Sequence, residues 1–387
     1  MKGMRYRELG RSGIKVPVLG FGAMRFPMLP GKKDTKRKTG VNVPEATRML
    51  HRAYELGVTY FDTAYGYHMG WSEVIVGKAL KGLPRERVTL TTKLPVWLAK
   101  QTKDFARLLR TQLRRLRTDH LDFYLLHALN KDSFERVRDL GVFDFLEQER
   151  ERGRVRHIGF SYHDRAAHFA PILDAYDWDL CQVQYNIVDT DYQAGRKGVR
   201  YAARKGVGVV IMEPLRGGDL VNCIPPAGQR AWDSIRPKRP PVEWLLRWLW
   251  DEPGVSMVLS GMGSMEQLEQ NVAVASKAKP RSLTPNQKLV INRVRAAYRR
   301  LQLVPCTNCG YCLPCPSGVN IPRNFAIRNS LAMFPDSPTA RMEYNRWMAA
   351  EQRASACTDC GRCVPLCPQQ IPIPERLKEV DRALANA

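Results

Sequence analysis

Eight cysteines gathered in two quartets constrain the folding of this 387-residue chain more than any other feature of its sequence. The quartets are Cys306, Cys309, Cys312, Cys315 and Cys357, Cys360, Cys363, Cys367. The other two cysteines, Cys181 and Cys223, are interpreted as buried apolar side chains. The first residues show neither an apolar core nor a cleavage site for export, and disulfides belong to oxidising compartments. The quartets therefore predict a metal site rather than a disulfide framework.

The spacing inside the quartets is typical of iron–sulfur ligation. Three cysteines at successive spacings of three can wrap one face of a cubane, and a fourth cysteine followed by proline leaves that loop. The second quartet fits the C-x2-C-x2-C-x3-C-P run, whose fourth cysteine serves the other cluster, whereas the first has x2 before its last cysteine. Zinc, the alternative, uses paired C-x2-C knuckles, often with histidine, and no histidine follows His168. We predict two [4Fe–4S] clusters, one on Cys306, Cys309, Cys312 and Cys367 and the other on Cys357, Cys360, Cys363 and Cys315.

Residues 284–387 are predicted to form a small, mostly α, ferredoxin-like dicluster domain. Residues 305–373 resemble a two-cluster ferredoxin, although the 41 residues between Cys315 and Cys357 exceed the length found in compact ferredoxins. A helix is expected to begin this domain and to run to about Leu301. Thr284 can cap that helix, Pro285 suits its first turn, and Gln287 can complete a capping box.

Residues 1–283 alternate short apolar runs with amphipathic stretches. The runs predict strands at 17–22, 58–62, 88–93, 121–127, 155–161, 180–184, 207–213 and 255–261, with helical patterns such as 45–56, 72–80, 104–116, 142–152 and 242–250 between them. Continuous apolar runs are typical of parallel strands buried on both faces. Eight strand–helix units predict an α/β fold, a (β/α)8 TIM barrel, with a loop rich in Gly, Pro and Lys inserted at 27–44. A doubly wound sheet is the alternative, but Arg25 stands where a dinucleotide fingerprint beginning at Gly20 needs glycine.

Polar residues stand at the C-terminal ends of the predicted strands, where barrels carry their chemistry. They are Asp62, Lys93, His127, Ser161, Gln184 and Glu213, and Tyr67 follows the second strand. An acid, an amine and an imidazole on consecutive strands, with a phenol nearby, form a candidate active site. The alternatives are an ion pair that closes the barrel for Asp62 and Lys93, and a core histidine for His127.

The barrel region resembles the aldo-keto reductase family from Tyr6 to about Ala275. The motifs include Leu19-Gly-Phe-Gly-Ala-Met, Phe61-Asp-Thr-Ala-Tyr-Gly-Tyr, Thr91-Thr-Lys-Leu, Leu121-Asp-Phe-Tyr-Leu-Leu-His, Gln182-Val-Gln-Tyr-Asn and Leu259-Ser-Gly-Met. The whole chain resembles the branch of that family with a C-terminal ferredoxin-like domain. The resemblance implies a catalytic tetrad of Asp62, Tyr67, Lys93 and His127. Tyr67 is preferred to Tyr65 because the family tyrosine follows the aspartate by five positions.

Such a tetrad suits carbonyl reduction, which needs a hydride from a nicotinamide and a proton for the oxygen. A phenol with a pKa near 10 is a weak acid at neutral pH. An ammonium about 4 Å away stabilises the phenolate by roughly 4 kcal/mol at an effective dielectric of about 20, and desolvation opposes this effect. Asp62 is expected to keep Lys93 charged, and His127 to orient the carbonyl or share the proton.

The resemblance also implies a nicotinamide site, but fewer of its residues match the family than in the catalytic tetrad. Ser161 and Gln184 match positions that hold the carboxamide, and Met212 replaces the tyrosine that stacks on the ring in many relatives. The remaining implied cofactor positions are Gly22, Met24, Pro214, Leu215, Gly261, Gln267 and Asn271. The Lys and Arg that grip a 2′-phosphate are replaced by Gly261 and Gln267, although the helix start at Ser264 can accept a phosphate. NADP, NAD and a flavin are all retained as alternatives.

A formal charge of +23 is divided between +7 on residues 284–387 and +16 on the rest. A positive field attracts dinucleotide phosphates, an acidic ferredoxin or flavodoxin, or nucleic acid, and solubility alone is an equally good explanation. Nucleic acid is not favoured, because no arginine-rich run or interleaved aromatics are present. Membrane partners are not expected, and we predict a cytoplasmic protein, because no apolar run reaches membrane-spanning length.

Three functions are compatible with these features. The first is an oxidoreductase that acts on a small carbonyl or alcohol, with electrons from a nicotinamide or a one-electron carrier passing through the clusters. The second is an NAD(P)H-dependent carbonyl reductase whose clusters are structural or redox-sensing. The third is a non-enzymatic electron carrier whose barrel has lost its catalytic activity, and the intact tetrad argues against it. A flavin could link the two-electron hydride transfer of a nicotinamide to the one-electron transfer of the clusters, but the sequence shows no flavin motif.

Overall fold

The chain, seen in a computed structural model that describes residues 3–385, divides into two compact units. The first unit extends to Gly217 and resumes over Val242–Leu283, and the second comprises Gly218–Pro241 and the residues from Thr284 onward. The boundary expected after residue 283 coincides with one division point, but residues 218–241 group with the C-terminal unit.

Eight parallel strands of the first unit close into a barrel, as predicted. The strands of the chain are β1 (Tyr6–Glu8), β2 (Lys15–Pro17), β3 (Leu19–Gly22), β4 (Tyr60–Asp62), β5 (Thr89–Leu94), β6 (Leu121–Leu129), β7 (Val155–Tyr162), β8 (Leu180–Gln184), β9 (Gly208–Met212) and β10 (Met257–Ser260). The barrel order is β10-β3-β4-β5-β6-β7-β8-β9. Each predicted strand is present with its ends within two residues of those expected.

Helices follow the barrel strands and build most of the second unit. They are α1 (Val43–Glu55), α2 (Trp71–Ala79), α3 (Lys103–Leu116), α4 (Lys131–Asp139), α5 (Val142–Glu151), α6 (Ala166–Asp174), α7 (Gly195–Arg204), α8 (Asp219–Asn222), α9 (Pro226–Ser234), α10 (Pro241–Asp251), α11 (Met265–Ala275), α12 (Pro285–Arg299), α13 (Ile321–Met333), α14 (Thr339–Met342) and α15 (Ile373–Leu384). Among the residues described, no helix combines the length and the apolar character that crossing a membrane requires.

An antiparallel hairpin of β1 and β2 closes the N-terminal end of the barrel. Its Leu9 is fully buried in the cluster of apolar side chains that fills the barrel, together with Tyr60 and Phe123. The turn needs glycine at Gly10 (φ +56°), because a Cβ there would lie 2.2 Å from the carbonyl oxygen of Gly206. Because the hairpin occupies this end, the site has to be built at the opposite, C-terminal ends of the strands.

The second unit is mostly helical, and its core supports the cysteines. Thr284 and Gln287 form the predicted capping box at the start of α12. Within this unit the hydroxyl of Tyr298 on α12 donates to the carbonyl of Leu220, 3.0 Å away, which explains why residues 218–241 group here. Six cysteines pack against the apolar core of the unit; they are Cys306, Cys312, Cys315, Cys357, Cys363 and Cys367.

Candidate active site and cysteine-lined cavity

Lys93 lies at the centre of the polar residues on consecutive strands. Its side chain is fully buried at the end of β5, and its Nζ donates to Asp62 Oδ1 at 2.6 Å and to the carbonyl of Thr63 at 2.9 Å. The hydroxyl of Tyr67 lies 3.4 Å from the same Nζ. The second oxygen of Asp62 is buried and has no hydrogen-bond partner among the described residues. An ammonium is therefore held between a carboxylate and a phenol.

The turn after β4 determines which tyrosine faces Lys93. Tyr67 begins a short helical turn, Tyr67–Gly70, in which His68 and Met69 adopt left-handed conformations. Tyr65 instead lies under the guanidinium of Arg115, whose central carbon is 4.3 Å from the ring centroid. The arrangement brings together Asp62, Lys93 and Tyr67, three of the four predicted catalytic residues.

His127, the fourth, lies across the ring of Tyr67. The two ring centroids are 6.0 Å apart and nearly perpendicular, and Trp97 approaches the imidazole on another side at 5.0 Å. Burial, together with the positive charge of Lys93 and His163, holds the pKa of His127 well below its ordinary value. The imidazole is therefore neutral at neutral pH, with one nitrogen that donates a hydrogen bond and one that accepts.

The pKa values around Lys93 correct one expectation from the sequence. Burial raises the pKa of Tyr67, and although Lys93 opposes this, the net direction is upward rather than the lowering expected from the ammonium alone. Desolvation would lower the pKa of Lys93, but Asp62 and Tyr67 raise it above its ordinary value. Burial raises the pKa of Asp62 against the opposing effect of Lys93. The site thus favours a charged lysine beside a protonated tyrosine.

A second buried layer supports Lys93 from beneath. Glu73 on α2 is fully buried and accepts hydrogen bonds from Thr92 at 2.8 Å and from Gln112 at 2.7 Å. Gln112 also donates to the backbone carbonyl of Lys93 at 2.9 Å. Arg115 completes the layer with a 3.1 Å ion pair to Glu73. These contacts fix the strand that carries Lys93.

The residues expected to bind a nucleotide occupy the other arc of the barrel mouth. They stand at or after the ends of β7, β8, β9, β10 and β3, which are consecutive neighbours in the closed sheet, whereas Asp62, Lys93 and His127 stand on β4, β5 and β6. In α11, Gln267 accepts from the backbone N–H of Gly263 at 2.9 Å, and Asn271 donates to Ser260 at 3.1 Å. Gly22 lies against the backbone of Ser260, and Met24 is exposed. Pro214 is buried, Leu215 and Met212 are half-buried, and Gly261 is exposed.

Two glutamines on one face of β8 have different environments. The side-chain amide of Gln184 donates to Asp189 at 2.8 Å. Gln182 is also buried, but its Oε1 has no partner among the described residues, and it pairs in register with Ser161 of β7. Ser161 accepts from the backbone N–H of Ala128 at 2.7 Å, which leaves its hydroxyl proton available. Gln182 is thus a candidate cofactor contact that the sequence did not reveal. Gln184 differs from it in being hydrogen-bonded to Asp189, and that contact is visible only in the structure.

Arg25 is a second residue to which the sequence assigned no role in the site. Its side chain runs against Gly261 and Gly217, two glycines where an added Cβ would contact it at 3.2 Å and 2.5 Å. Its guanidinium lies 3.8 Å from the carboxylate of Glu213. A cation therefore joins the loops that follow β3, β9 and β10.

The two cysteine loops share one backbone conformation. Asn308 and Gly310 in the first loop have φ of +58° and +80°, and Asp359 and Gly361 in the second have +59° and +70°. The backbone N–H of Asn308 lies 3.5 Å from the sulfur of Cys306 and donates to it. Left-handed residues turn the chain tightly around the sulfurs, as repeated cluster-binding loops require.

A cavity of about 220 Å³ lies among the cysteines of the second unit. Its lining includes Cys315, Cys357, Cys360 and Cys363, the four side chains predicted for one cluster, and also Cys312. The described residues contain no group of three or more His, Cys, Asp and Glu side chains placed to hold a single metal ion. Cys315, Cys357, Cys360 and Cys363 would supply the four thiolates that a cubane requires.

Neighbouring thiols influence one another, mostly within the two predicted groups, although Cys363 acts on Cys312 together with Cys306 and Cys309. Burial raises the pKa of Cys306, and the neighbouring Cys309 and Cys367 add to the increase. Burial likewise raises the pKa of Cys363, with contributions from Cys357, Cys315 and Cys360. Burial raises the pKa of Cys312 to about 12. Such thiols ionise at neutral pH when a metal displaces their protons.

Comparison with known proteins agrees with both parts of this arrangement. Residues 18–225 match the aldo/keto reductase family, and residues 305–371 match the 4Fe-4S dicluster domain. The chain is 27% identical over 305 residues to an L-galactose dehydrogenase of Arabidopsis thaliana, covering 72% of this chain and 90% of that protein. It is 27% identical over 315 residues to an NADH-specific methylglyoxal reductase of Escherichia coli, covering 70% of this chain and 93% of the relative. The holo form of an aldo-keto reductase from Bacillus halodurans matches with a TM-score of 0.62 at 27% identity, over 75% of this chain and 96% of that one.

The family match spans more than half of the chain and includes seven of the eight barrel strands, among them the strand that carries Lys93. The relatives named as a dehydrogenase and a reductase match 72% and 70% of the chain, and the cysteine loops lie within the separate dicluster match. The chain belongs to the aldo/keto reductase family, and it is an oxidoreductase with a C-terminal 4Fe–4S dicluster domain.

Proposed function

We propose that the barrel interconverts a small carbonyl compound and the corresponding alcohol, with Tyr67 as the proton donor. The observation that carries this proposal is the position of Lys93 Nζ, 2.6 Å from Asp62 and 3.4 Å from the Tyr67 hydroxyl, at the C-terminal end of the barrel. At this distance the ammonium of Lys93 can stabilise the phenolate that forms when Tyr67 gives up its proton.

The chain's own residues account for the proton. The hydride for the carbonyl carbon would come from a nicotinamide when one is bound. The oxygen then takes the proton of the Tyr67 hydroxyl, and the charged Lys93 stabilises the phenolate that is left until solvent returns a proton. A raised pKa of Tyr67 is compatible with this role, because an alkoxide is far more basic than a phenolate. His127, neutral because of its lowered pKa, donates a hydrogen bond to the carbonyl oxygen.

The nicotinamide proposal is supported by a buried acceptor and a buried donor. The unpartnered Oε1 of Gln182 can accept from a carboxamide NH2, and the hydroxyl of Ser161 on the neighbouring strand can donate to the carboxamide oxygen. Met212 lies 3.9 Å from the Gln182 amide and offers an apolar surface to the ring. One relative carries NADH in its name, which favours a nicotinamide over a flavin.

The second unit is proposed to hold two [4Fe–4S] clusters that exchange single electrons with an acidic ferredoxin or flavodoxin. One cluster takes Cys306, Cys309, Cys312 and Cys367, and the other takes Cys357, Cys360, Cys363 and Cys315. Cys309 and Cys360, one from each set, are exposed, which favours access by a carrier protein. Clusters supply one-electron transfer when assembled.

The test is an anaerobic assay of the full chain with reconstituted clusters, using NADH or NADPH and a panel of aldehydes and ketones. Turnover with either nucleotide supports the proposal, and absorbance of the protein as purified reports any bound flavin. A protein that reduces no carbonyl with either nucleotide, but does so with a reduced one-electron carrier, would replace the nicotinamide proposal with a cluster-fed reaction.

A further inference from the structure

The loop between β3 and α1, residues 27–42, is an ordered hairpin. The backbone of Leu29 donates to Gly40 at 2.8 Å, and that of Asn42 donates to Pro27 at 2.8 Å. Gly40 is buried between the two arms of the hairpin. A side chain does not fit at this position, since a Cβ there would lie 2.8 Å from the backbone of Lys33. We call residues 27–42 the basic loop, because they include five lysine and arginine residues.

Two contacts fasten the basic loop to the turn that carries Tyr67 and to the start of α2, and a third holds the preceding residue, Phe26. Asp34 Oδ2 lies 2.7 Å from Nδ1 of His68, the residue after Tyr67. The other ring nitrogen of His68 accepts a hydrogen bond from the backbone N–H of Phe26 at 3.2 Å, so Nδ1 carries the ring proton and donates a hydrogen bond to Asp34. The indole of Trp71 donates to the carbonyl of Thr35 at 2.9 Å. The loop is thereby held on the Tyr67 side of the barrel mouth.

The basic loop concentrates positive charge beside the active site. Five of its residues within seven positions are cationic and exposed; they are Lys32, Lys33, Lys36, Arg37 and Lys38. Its single acid, Asp34, is engaged by His68, Thr39 and Gly40, and these contacts lower its pKa despite the opposing effect of burial. None of the five cations forms an ion pair within residues 3–385. Mutual repulsion of unpaired charges destabilises such a loop, and solubility does not require them to be adjacent.

We propose that the basic loop recognises a negatively charged group, a carboxylate or a phosphate, on the carbonyl substrate of the neighbouring site. This inference rests on the proposed carbonyl chemistry and adds the substrate class to it. The loop follows β3, so it lies at the C-terminal face where barrel enzymes bind their substrates. Its anchors, His68 and Trp71, follow β4. Eight of the ten residues expected to bind a nucleotide stand instead at or after the ends of β7, β8, β9 and β10, and Gly22 and Met24 stand at β3. The anion it meets is therefore assigned to the substrate and not to the cofactor.

The test compares two aldehydes of similar shape, 4-carboxybenzaldehyde and its neutral methyl ester. In one variant Lys32, Lys33, Lys36, Arg37 and Lys38 are all changed to Gln. A matched control changes five exposed cations of the outer helices and of the turn after α2, Lys78, Lys81, Lys103, Arg110 and Arg114, to Gln. We expect the loop variant to raise the KM of the carboxylate roughly tenfold, because exposed charge pairs are individually weak but five act together. The KM of the ester, both kcat values and the control variant should change little.

High salt provides an independent check. The Debye length shrinks from about 10 Å at 0.1 M to about 3 Å at 1 M, so the preference of the natural chain for the carboxylate should disappear. Equal KM changes for both aldehydes, or a change in the KM of the nucleotide alone, would overturn the inference. If no carbonyl compound of the panel, these two aldehydes included, is reduced, the proposed function fails. Calorimetric binding of 4-carboxybenzoate then decides the inference by itself, since equal affinity for the natural chain and the loop variant would refute it.

Discussion

The side-chain nitrogen of Gln112 lies 2.7 Å from Oε1 of Glu73, and both side chains are fully buried beneath the strand that carries Lys93. The same nitrogen reaches the backbone carbonyl of Lys93 at 2.9 Å. Glu73 also holds Arg115, whose guanidinium covers Tyr65. Among the described residues Glu73 hydrogen-bonds to Thr92, Gln112 and Arg115 and not to the tetrad, and through them it positions the two segments that carry Lys93 and Tyr67.

Glu73→Gln is expected to destabilise the chain by about 3 kcal/mol, because it leaves the partly buried Arg115 without its counter-charge. Urea unfolding of the two proteins measures this difference. Arg107→Gln is the control, since its ion pair with Asp104 is half-exposed on the arginine side and should be worth less than about 1 kcal/mol. An equal decrease in the free energy of unfolding in the two variants would show that the buried Glu73 contacts stabilise the chain no more than an exposed ion pair does.

Tyr67→Phe is expected to lower kcat for carbonyl reduction by about 10²- to 10⁴-fold, the usual contribution of a general acid. Tyr65→Phe keeps the ring that lies under Arg115 and should leave kcat almost unchanged. Circular dichroism and the cluster absorbance should be the same in both variants. An equal rate in Tyr67→Phe and the natural chain would remove Tyr67 from the proposed reaction.

The rate of carbonyl reduction should be flat between about pH 7 and pH 9. The raised pKa of Tyr67 keeps the phenol protonated throughout this range, and the lowered pKa of His127 keeps the imidazole neutral. Alcohol oxidation needs the phenolate and should accelerate as the pH rises. A pH–rate profile of kcat in both directions checks this, and a break near pH 7 that is absent in His127→Gln would contradict the neutral imidazole.

The same imidazole contributes to stability in a defined pH window. Its pKa is lower in the folded chain than the value of about 6.5 in the unfolded chain, so the unfolded state binds the proton first. The contribution is present above about pH 6.5 and is lost as the pH falls.

The barrel was predictable because buried parallel strands leave continuous apolar runs, and all eight were recognised in the sequence. The closing hairpin was not predicted, because β1 and β2 have three residues each and show no periodicity. The grouping of residues 218–241 with the second unit depends on contacts such as Tyr298 with Leu220, which join positions 78 apart in sequence. Local patterns carry no information about such pairs.

The active-site residues divide in the same way. The position of Lys93 follows from where a strand ends, whereas Tyr67 was chosen over Tyr65 from the spacing found in the family, and the structure brings the two side chains together. The rise in the pKa of Tyr67 did not follow, because burial outweighs the nearby ammonium and the extent of burial is a tertiary property. The choice between Gln182 and Gln184 likewise depended on Asp189, which engages the second of them.

Cys363→Ala should reduce the iron content from about eight to about four per chain, because it removes a ligand of one cluster only. Cys223→Ala is the matched control, since Cys223 lies apart from the two cysteine loops and should leave the iron unchanged. Iron and sulfide are measured in protein prepared without oxygen. Stoichiometric zinc in such protein, or a complete loss of iron in Cys363→Ala with an intact fold, would contradict two separate clusters.

The reduction of the clusters by an acidic ferredoxin should slow as the ionic strength rises. Residues 284–387 carry +7, and two oxidised cubanes with their thiolates contribute about −2 each, which leaves the region positive near +3. Attraction between oppositely charged proteins accelerates their encounter, and salt screens it over a Debye length of about 10 Å at 0.1 M. Stopped-flow absorbance across a salt series measures the rate, with a neutral small-molecule reductant as the control that should not respond to salt. A rate with ferredoxin that is independent of salt would eliminate charge steering, and clusters that no carrier reduces in an enzyme still active with NADH or NADPH would assign them a structural role.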